Sequence, residues 1–145
     1  MITLIQRVDH ASVVVEHQLI GAIEKGLLVF VGIQPEDDQS RVIKACKKLL
    51  SYRVFEDANG KMNLSVQDVK GGILLVPQFT LAADTQRGSR PSFSSAAPPE
   101  KGRRMFDVFV ENMKSLYEPV ETGLFGADMK ISLLNNGPVT FILNF

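Results

Sequence analysis

The side chains that enzymes use most often for catalysis are scarce in this sequence. Its only histidines are His10 and His17, and its only cysteine is Cys46. The histidines fall in the first predicted strands, and Cys46 falls on the apolar face of a predicted helix, where a thiol behaves as a small hydrophobic group. These positions predict neither a zinc site nor a cysteine nucleophile. Chemistry in this chain must therefore rely on backbone groups or on a substrate, and no metal or cofactor is expected.

Two short segments stand out once the usual catalytic groups are set aside. The first motif, residues 77–81, has the sequence PQFTL, and the second motif, residues 135–140, has the sequence NNGPVT. Taken alone, the first motif is a strand that continues past a proline. The second is an ordinary turn, since Asn, Gly and Pro are the residues that turns require. Thr80 carries a hydroxyl, but neither motif contains a histidine or lysine that could activate it.

A β-rich chain with two helices is predicted to position these motifs. Runs of β-branched and apolar residues predict strands at residues 2–8, 11–15, 19–23, 27–31 and 73–76. Helical spacing begins at residue 41 and ends near residue 52, with a buried face made of Val42, Cys46, Leu49 and Leu50. A second helix is predicted to begin at Pro99, and its buried face is expected to carry Met105, Phe109, Met113 and Leu116.

Two hairpins and one long loop complete the predicted elements. Asn59-Gly60 is the signal of a two-residue type I′ hairpin, in which both turn positions need positive φ. Alternating residues at 129–133 and 139–145 predict a terminal hairpin with its tip at 135–138. Residues 82–99 form a long loop, and such loops in compact domains are usually functional. Several polar residues there and at the start of the second helix either contact a substrate or are simply capping and solvated: Asp84, Arg87, Arg90, Ser92, Lys101, Arg103 and Arg104.

Length and charge narrow the class of protein. A chain of 145 residues suits a single domain, residues 1–145. Its 16 basic and 16 acidic residues cancel, which argues against a DNA-binding protein that binds along a phosphate backbone. The balance does not argue against a protein that contacts only the end of a nucleic acid. No apolar run approaches the roughly 20 residues of a membrane-spanning helix. No secretory signal is recognised at the start, so a cytoplasmic location is expected.

The two motifs together resemble the paired signature motifs of the D-aminoacyl-tRNA deacylases, which read Ser-Gln-Phe-Thr and Asn-x-Gly-Pro-Val-Thr. The similarity extends over the whole chain and includes LIQRV at residues 4–8, GKMNL at 60–64, LAADT at 81–85 and RPSFS at 90–94. One position departs from the family, because Pro77 stands where the family has serine. Proline supplies neither a hydroxyl nor an N–H group, so any role of that serine cannot operate here.

The resemblance implies an α+β fold with a barrel-like sheet and two amphipathic helices. It implies hydrolysis of the ester of D-aminoacyl-tRNA, and of glycyl-tRNA, at the 3′ acceptor end. It also implies a homodimer in which a cis Gly137-Pro138 peptide enters the partner's active site, with its two carbonyls side by side, and rejects L-esters. Catalysis falls to the first motif, where the Phe79 N–H would donate to the oxyanion beside Gln78 and Thr80. The pocket lining would include Arg7, Met129 and Asn136.

Three function classes remain open at this stage. The first is an editing enzyme that cleaves D-aminoacyl esters from tRNA. The second is a non-catalytic dimeric module that binds free D-amino acids, and the third is an assembly protein whose motifs only form an interface. Within the first class, Thr80 is either a nucleophile or an orienting residue. The lack of a base near Thr80 favours water as the nucleophile, assisted by the substrate's 2′-hydroxyl. Arg7 and Met129 are equally consistent with a strand-surface arginine and a core methionine.

Overall fold

Helices and strands are interspersed along the chain in a mixed α+β order. The computed structural model describes residues 1–86 and 88–145, so Arg87 lies outside the described residues. The elements are β1 (Ile2–Val15), β2 (Gln18–Ile23), β3 (Gly26–Gly32), α1 (Gln39–Ser51), β4 (Phe55–Glu56), β5 (Met62–Leu64), β6 (Gly72–Pro77), a 3₁₀ turn (Phe79–Ala82), α2 (Pro99–Leu116), β7 (Val120–Thr122) and β8 (Lys130–Asn144).

The long strand β1 organises the sheet. Along one edge, β1 pairs antiparallel with β8 over almost its whole length. Along the other edge, residues 2–8 pair with β3 and residues 11–15 pair with β2, so the two strands predicted there are one continuous strand. Strand β6 pairs parallel with β3, and β7 pairs parallel with β6. Because β2 also approaches β6 and β7, the sheet curls into the barrel-like form that the resemblance implies.

Strands β3 and β6 are buried on both faces, which explains their continuous apolar sequences. One face contributes Leu27, Val29, Ile73 and Leu75 to the core beneath the two helices. The other face contributes Leu28, Leu74 and Val76 to a second core inside the curled sheet. The end of β6 is therefore fixed from both sides, and the first motif starts from this point.

The helices confirm the prediction from periodicity with one exception. Helix α1 begins after Asp38, whose carboxylate accepts a hydrogen bond from the Arg41 N–H at 2.9 Å, a contact that lowers the pKa of Asp38. Helix α2 begins with Pro99, as predicted. Leu116 was expected to be buried, but it is 46% exposed because it is the last residue of α2 and lies beyond its packed part. In the described part of the chain, no helix is long and apolar enough to cross a membrane.

The hairpin of β4 and β5 is confirmed, but its turn is not type I′. Asp57 N–H donates to Lys61 O at 2.8 Å and Gly60 N–H donates to Asp57 O at 3.0 Å. These bonds enclose a longer loop in which only Gly60 has positive φ, at 71°. A turn with two positive φ values lies instead between β1 and β2, at Glu16 (48°) and His17 (66°). His17 is therefore in a turn, whereas the sequence predicts it in a strand.

The predicted terminal hairpin is wrong. Both halves of β8 pair antiparallel with β1, so the chain does not reverse direction at residues 135–138. The register passes from Gln6↔Thr140 to Val8↔Asn135, which leaves residues 136–139 as a bulge opposite Arg7. Asn, Gly and Pro suit a bulge as well as a turn, and only the pairing with β1 decides between the two structures.

Candidate active site

The first motif leaves the sheet directly after β6. The Gln78 N–H donates to Val31 O at 2.8 Å, which ends the pairing with β3. Residues Phe79–Ala82 then form the 3₁₀ turn, so the expectation that the strand continues past Pro77 is wrong. Proline is confined to strand ends and edges because it has no N–H to donate, which agrees with Pro77 as the last residue of β6.

The first two backbone N–H groups of this turn have no hydrogen-bond partner among the described residues. Among the described residues, the N–H groups of Phe79 and Thr80 make no hydrogen bond. The first N–H groups of a helical turn have no acceptor within the turn, so they are free to bind a ligand. The Thr80 hydroxyl accepts a hydrogen bond from the side-chain amide of Gln78, which is not a base. The turn therefore offers backbone donors and not an activated hydroxyl.

A largely apolar cavity of about 470 Å³ lies beside these donors. Gln78 and Phe79 line one side of it, while Gly102 of α2 and Phe125, beyond β7, line the other. The ring of Phe79 is 56% exposed and meets the ring of Phe93 edge-on, with 5.1 Å between the centroids. The cavity therefore combines aromatic walls with free backbone donors and suits a planar, partly apolar group that carries an acceptor.

The second motif forms the bulge in β8 and is held largely by side chains. Asn135 Oδ1 accepts a hydrogen bond from the Val139 N–H at 3.0 Å, and Asn135 Nδ2 donates to Thr140 Oγ1 at 2.9 Å. The Gly137-Pro138 peptide bond is cis. Gly137 has φ of +133°, and a Cβ at this position would lie 2.6 Å from Val139 Cγ2 and 2.9 Å from Val139 N. Only glycine fits this backbone without displacement.

Arg7 faces the bulge from β1 and is only 7% exposed. Its Nε donates to the carbonyl oxygen of Asn136 at 3.0 Å, and its Nη1 donates to the carbonyl oxygen of Val54 at 2.7 Å. Its Nη2 lies 3.3 Å from Asn136 Oδ1 and 3.6 Å from Glu56 Oε1. Arg7 thus links the hairpin of β4 and β5 to the residue that precedes Gly137.

The two motifs do not meet within one chain. No residue of the second motif, and neither Arg7 nor Met129, lines the cavity at Gln78 and Phe79. Over residues 1–86 and 88–145, no hydrogen bond joins the motifs. Met129 lies near the end of β6, since a Cβ on Gly123 would be 2.8 Å from Met129 Sδ and 3.5 Å from Pro77 Cδ. Asn136 is beside Arg7 and belongs to the bulge.

The histidines and the cysteine do not line the cavity, and His10 on β1 stands opposite Leu134, next to the second motif. His10 and His17 are exposed. Cys46 is buried, and burial raises the pKa of its thiol to about 12, so the reactive thiolate does not form near neutral pH. In the part of the chain that the structure describes, no group of three or more His, Cys, Asp or Glu side chains is placed to hold a metal ion.

The loop between the 3₁₀ turn and α2 is held by its own polar groups. Asp84 and Ser92 exchange two backbone hydrogen bonds of 2.8 and 2.9 Å, and the Asp84 carboxylate accepts the Gln86 N–H at 3.0 Å. Arg90 is exposed. These contacts give Asp84 and Ser92 a structural role, since they close the loop that brings Phe93 to the cavity.

Arg103 is the basic residue of α2 that contacts the cavity wall. Its guanidinium lies 5.1 Å from the centroid of the Phe125 ring, and its Nη2 lies 3.3 Å from the carbonyl oxygen of Phe125. Arg104 is exposed, and Lys101 donates to the carbonyl oxygen of Pro35. The sequence did not identify the cavity residues on this side. The one available signal was Gly102, because an isolated glycine inside a helix often marks close packing, here against Phe125.

Comparison with known proteins gives one consistent family. The model of the family described as D-Tyr-tRNA(Tyr) deacylase matches residues 4–144. The D-aminoacyl-tRNA deacylase of Saccharophagus degradans is 59% identical over 143 residues, 99% of each chain, and that of Ectopseudomonas mendocina is 58% identical over 140 residues, 97% of each chain.

Two solved structures share the fold. One, described as a c-Myc DNA Unwinding Element Binding Protein, has a TM-score of 0.95 at 39% identity and covers 100% of this chain and 99% of its own. The other, described as a "probable eukaryotic D-amino acid tRNA deacylase", has a TM-score of 0.85 at 16% identity and covers 98% of this chain and 97% of its own.

Proposed function

The chain belongs to the D-Tyr-tRNA(Tyr) deacylase family and is a hydrolase of the D-aminoacyl-tRNA ester, and we propose that two subunits build its selective pocket together. The first motif of one subunit acts on the ester, and the second motif of the partner subunit distinguishes D from L. The observation that carries this proposal is the Phe79 N–H, which has no partner among the described residues, at a cavity of about 470 Å³ that the second motif of the same chain does not line.

The Phe79 N–H donates to the ester carbonyl oxygen as that oxygen becomes negative during attack. One such donor contributes about 2.7–4 kcal/mol to transition-state stabilisation in acyl-transfer enzymes. The adjacent N–H of Thr80 is also free among the described residues. Because the turn follows directly from the fixed end of β6, these donors are already oriented before the substrate arrives.

The terminal adenosine of the tRNA occupies the apolar cavity. Ligand sites usually measure about 300–1,000 Å³, and the cavity falls within this range at about 470 Å³. Phe79, Phe93 and Phe125 offer aromatic surface for the adenine, and stacking of a base on such a side chain contributes about 1–3 kcal/mol. An adenine held there leaves the ribose and its ester on the side of Gln78 and Phe79.

Water is the nucleophile, and the 2′-hydroxyl of the terminal adenosine assists its attack. The Thr80 hydroxyl is held by Gln78 and has no neighbouring base, so it remains a weak nucleophile. The water oxygen forms the new bond to the ester carbonyl carbon, and the bond from that carbon to the ribose oxygen breaks. The ribose oxygen takes a proton, and the products are the free amino acid and the tRNA.

The carbonyl oxygens of Gly137 and Pro138 accept hydrogen bonds from the α-amino group of the substrate. With the amino group and the ester both held, only two positions remain at Cα for the hydrogen and the side chain. A D-residue directs its side chain outward, whereas an L-residue directs its Cβ at the two carbonyls. Rejection therefore rests on a steric clash, which makes the type of side chain unimportant and lets glycine pass.

The second motif acts in the partner's pocket and not in its own. It lies in β8, whose only partner strand among the described residues is β1. Strand β8 also exposes apolar side chains, with Leu134 50% and Ile142 61% exposed. An exposed apolar edge strand is a ready surface for pairing with another chain. A two-fold contact along this edge would bring each bulge to the other subunit.

Deacylation of matched D- and L-tyrosyl-tRNA tests the proposed function. We expect the D-ester to be cleaved at least about a hundredfold faster than the L-ester, which corresponds to about 2.7 kcal/mol. Glycyl-tRNA should also be cleaved, and EDTA should not change the rate, because the proposed groups are backbone donors and the substrate's hydroxyl.

Three results would contradict this function. Equal cleavage of both esters would remove the chiral selection. Binding of free D-tyrosine without cleavage would identify a binding module, and neither binding nor cleavage at high protein concentration would leave only an assembly role.

A further inference from the structure

We propose that Asp9 is a positioning residue for the Gly137-Pro138 peptide, acting through the side chain of Asn136. This inference rests on the proposed role of that peptide in separating D- from L-esters. Asp9 follows Arg7 by two positions on β1, in the stretch where the register with β8 shifts between Gln6 and His10. The side chains of Asp9 and Arg7 both reach Asn136, the residue that leads into Gly137.

The bulge needs contacts of this kind because the regular pairing is interrupted there. Residues 136–139 stand opposite Arg7 alone, so the strand ladder does not fix their backbone. Arg7 Nε donates to the Asn136 carbonyl oxygen at 3.0 Å, and Arg7 Nη2 lies 3.3 Å from Asn136 Oδ1. Asn136 Nδ2 donates to Asp9 Oδ1 at 2.6 Å. The side-chain amide of Asn136 is therefore held at both of its ends.

These two neighbours allow the Asn136 amide a single orientation. A guanidinium only donates hydrogen bonds and a carboxylate only accepts them, so Oδ1 must face Arg7 and Nδ2 must face Asp9. The bond to Asp9 is charge-assisted, a class that is stronger than bonds between neutral groups. Asp9 thus fixes the side-chain rotamer of Asn136. Together with Arg7, it fixes the plane of the peptide bond between Asn136 and Gly137.

No other described contact replaces Asp9 in this arrangement. Glu56 reaches Arg7 at 3.6 Å, but its side chain is 58% exposed and no described hydrogen bond joins it to Asn136. Asp9 itself is exposed and belongs to neither core. Its removal should therefore release the bulge and alter selectivity, while the fold stays intact.

The test compares Asp9→Ala with the parent on D- and L-tyrosyl-tRNA under single-turnover conditions. We expect the ratio of L to D cleavage to rise about tenfold, the effect of one net hydrogen bond. The melting temperature should change by no more than about 3 °C, as for other exposed substitutions. Asp128→Ala is the matched control and should keep the parent ratio, since the polar contacts of this exposed carboxylate among the described residues are with Lys130, at 2.9 and 3.0 Å.

A second substitution separates positioning from a general loss of charge. Asn136→Asp in the Asp9→Ala background places a carboxylate directly against Arg7 and should restore the parent ratio. The same change in the parent places two carboxylates together and should impair selectivity. Asp9→Asn can still offer an acceptor to Asn136 and should keep most of the selectivity.

Hydrogen exchange gives a readout that does not depend on catalysis. The Val139 N–H, which donates to Asn135 Oδ1 at 3.0 Å, should exchange about tenfold faster in Asp9→Ala if the bulge is released. Unchanged exchange at Val139 would overturn the role of Asp9 even in a protein that showed no deacylase activity. An unchanged L to D ratio in an active protein would overturn it and leave the proposed function standing.

Discussion

The hydroxyl of Thr80 is the obvious candidate nucleophile at the scale of single residues, and its contacts argue against that role. It accepts a hydrogen bond from Gln78, and no histidine, lysine or carboxylate reaches it among the described residues. The free N–H groups of Phe79 and Thr80 are the stronger candidates for catalysis, because they need no activation. A mechanism of this kind tolerates the loss of side chains better than a displacement of the backbone.

Thr80→Ala should therefore retain D-aminoacyl-tRNA deacylation within about tenfold of the parent, since it removes only an orienting hydrogen bond. Loss of a true nucleophile costs far more, on the order of 10⁴-fold or above in kcat. A substrate that ends in 2′-deoxyadenosine should react more slowly, and each tenfold measures about 1.36 kcal/mol of barrier. If Thr80→Ala abolished turnover with folding and tRNA binding intact, while the 2′-deoxy substrate reacted normally, Thr80 would be the nucleophile.

Gly137→Ala should damage the enzyme more than Thr80→Ala. A Cβ at Gly137 would lie 2.6 Å from Val139 Cγ2, and the φ of +133° is unfavourable for any other residue, so the bulge must move. We expect at least about a hundredfold loss in kcat/KM for the D-ester, given that small displacements of positioning groups can cost this much. Gly60→Ala is the control, because Gly60 also has positive φ, +71°, but has open space around it. Equal losses in the two variants would show that destabilisation, and not the second motif, governs activity.

At the scale of elements, the sequence predicted those parts whose pattern fits one environment only. The 3.6-residue period of α1 and α2 specifies helices, and the apolar runs of β3 and β6 are short and bounded by glycine or proline, which specifies buried strands. Residues 135–138 fit a hairpin tip and a bulge equally well, and their structure depends on pairing with β1, which is distant in sequence. The three-residue strand β7 is too short for its pattern to be recognised.

The sequence also predicted only part of the candidate site. The two motifs were identified from their own residues, together with the resemblance that links them. The cavity could not be identified in this way, because Phe93, Gly102 and Phe125 come from three separate parts of the chain. Likewise, the link from Arg7 to Val54 depends on a hairpin whose position relative to β1 is set by the fold.

Helix α2 offers a test of how the acceptor end leaves the cavity. If the terminal adenosine fills the cavity, the phosphate on its 5′ side emerges near the rim, where Arg103 lies 5.1 Å from the Phe125 ring centroid. Arg103→Ala should lower kcat/KM for D-aminoacyl-tRNA about three- to tenfold at low salt. The salt slope, meaning the slope of log(kcat/KM) against log salt concentration, should decrease by the amount expected for about one phosphate contact. Arg103→Ala should cleave D-aminoacyl-adenosine, which has no phosphates, at the parent rate. Arg103→Lys should keep the parent salt slope on D-aminoacyl-tRNA.

Arg104→Ala is the control for this prediction, because Arg104 is the adjacent exposed arginine on the same helix. It should leave the rate and the salt slope unchanged. If Arg103→Ala slowed the cleavage of D-aminoacyl-adenosine as much as that of D-aminoacyl-tRNA, Arg103 would support the wall at Phe125 and would not contact a phosphate.

At the scale of the whole molecule, the even balance of charge fits a partner that is touched only at its end. With 16 basic and 16 acidic residues, the chain has no net charge to attract a long phosphate backbone. An acceptor end needs only a pocket for one nucleoside and a cation near its rim, and these are the roles we propose for the cavity and for Arg103. Because the second motif does not line the cavity of its own chain, the proposed function makes selectivity depend on the arrangement of two subunits.

Mixing two inactive variants tests whether the pocket is shared. Phe79→Pro removes the proposed oxyanion donor while keeping a residue suited to the first position of the turn, and Gly137→Ala disables the second motif. Each homodimer should be inactive. After subunit exchange, half of the dimers are heterodimers, and each has one pocket with an intact first motif and an intact second motif from the other subunit. The mixture should therefore recover about a quarter of the parent activity, because a two-fold dimer has two equivalent pockets. A mixture that exchanged subunits and stayed inactive would show that each chain builds its pocket alone.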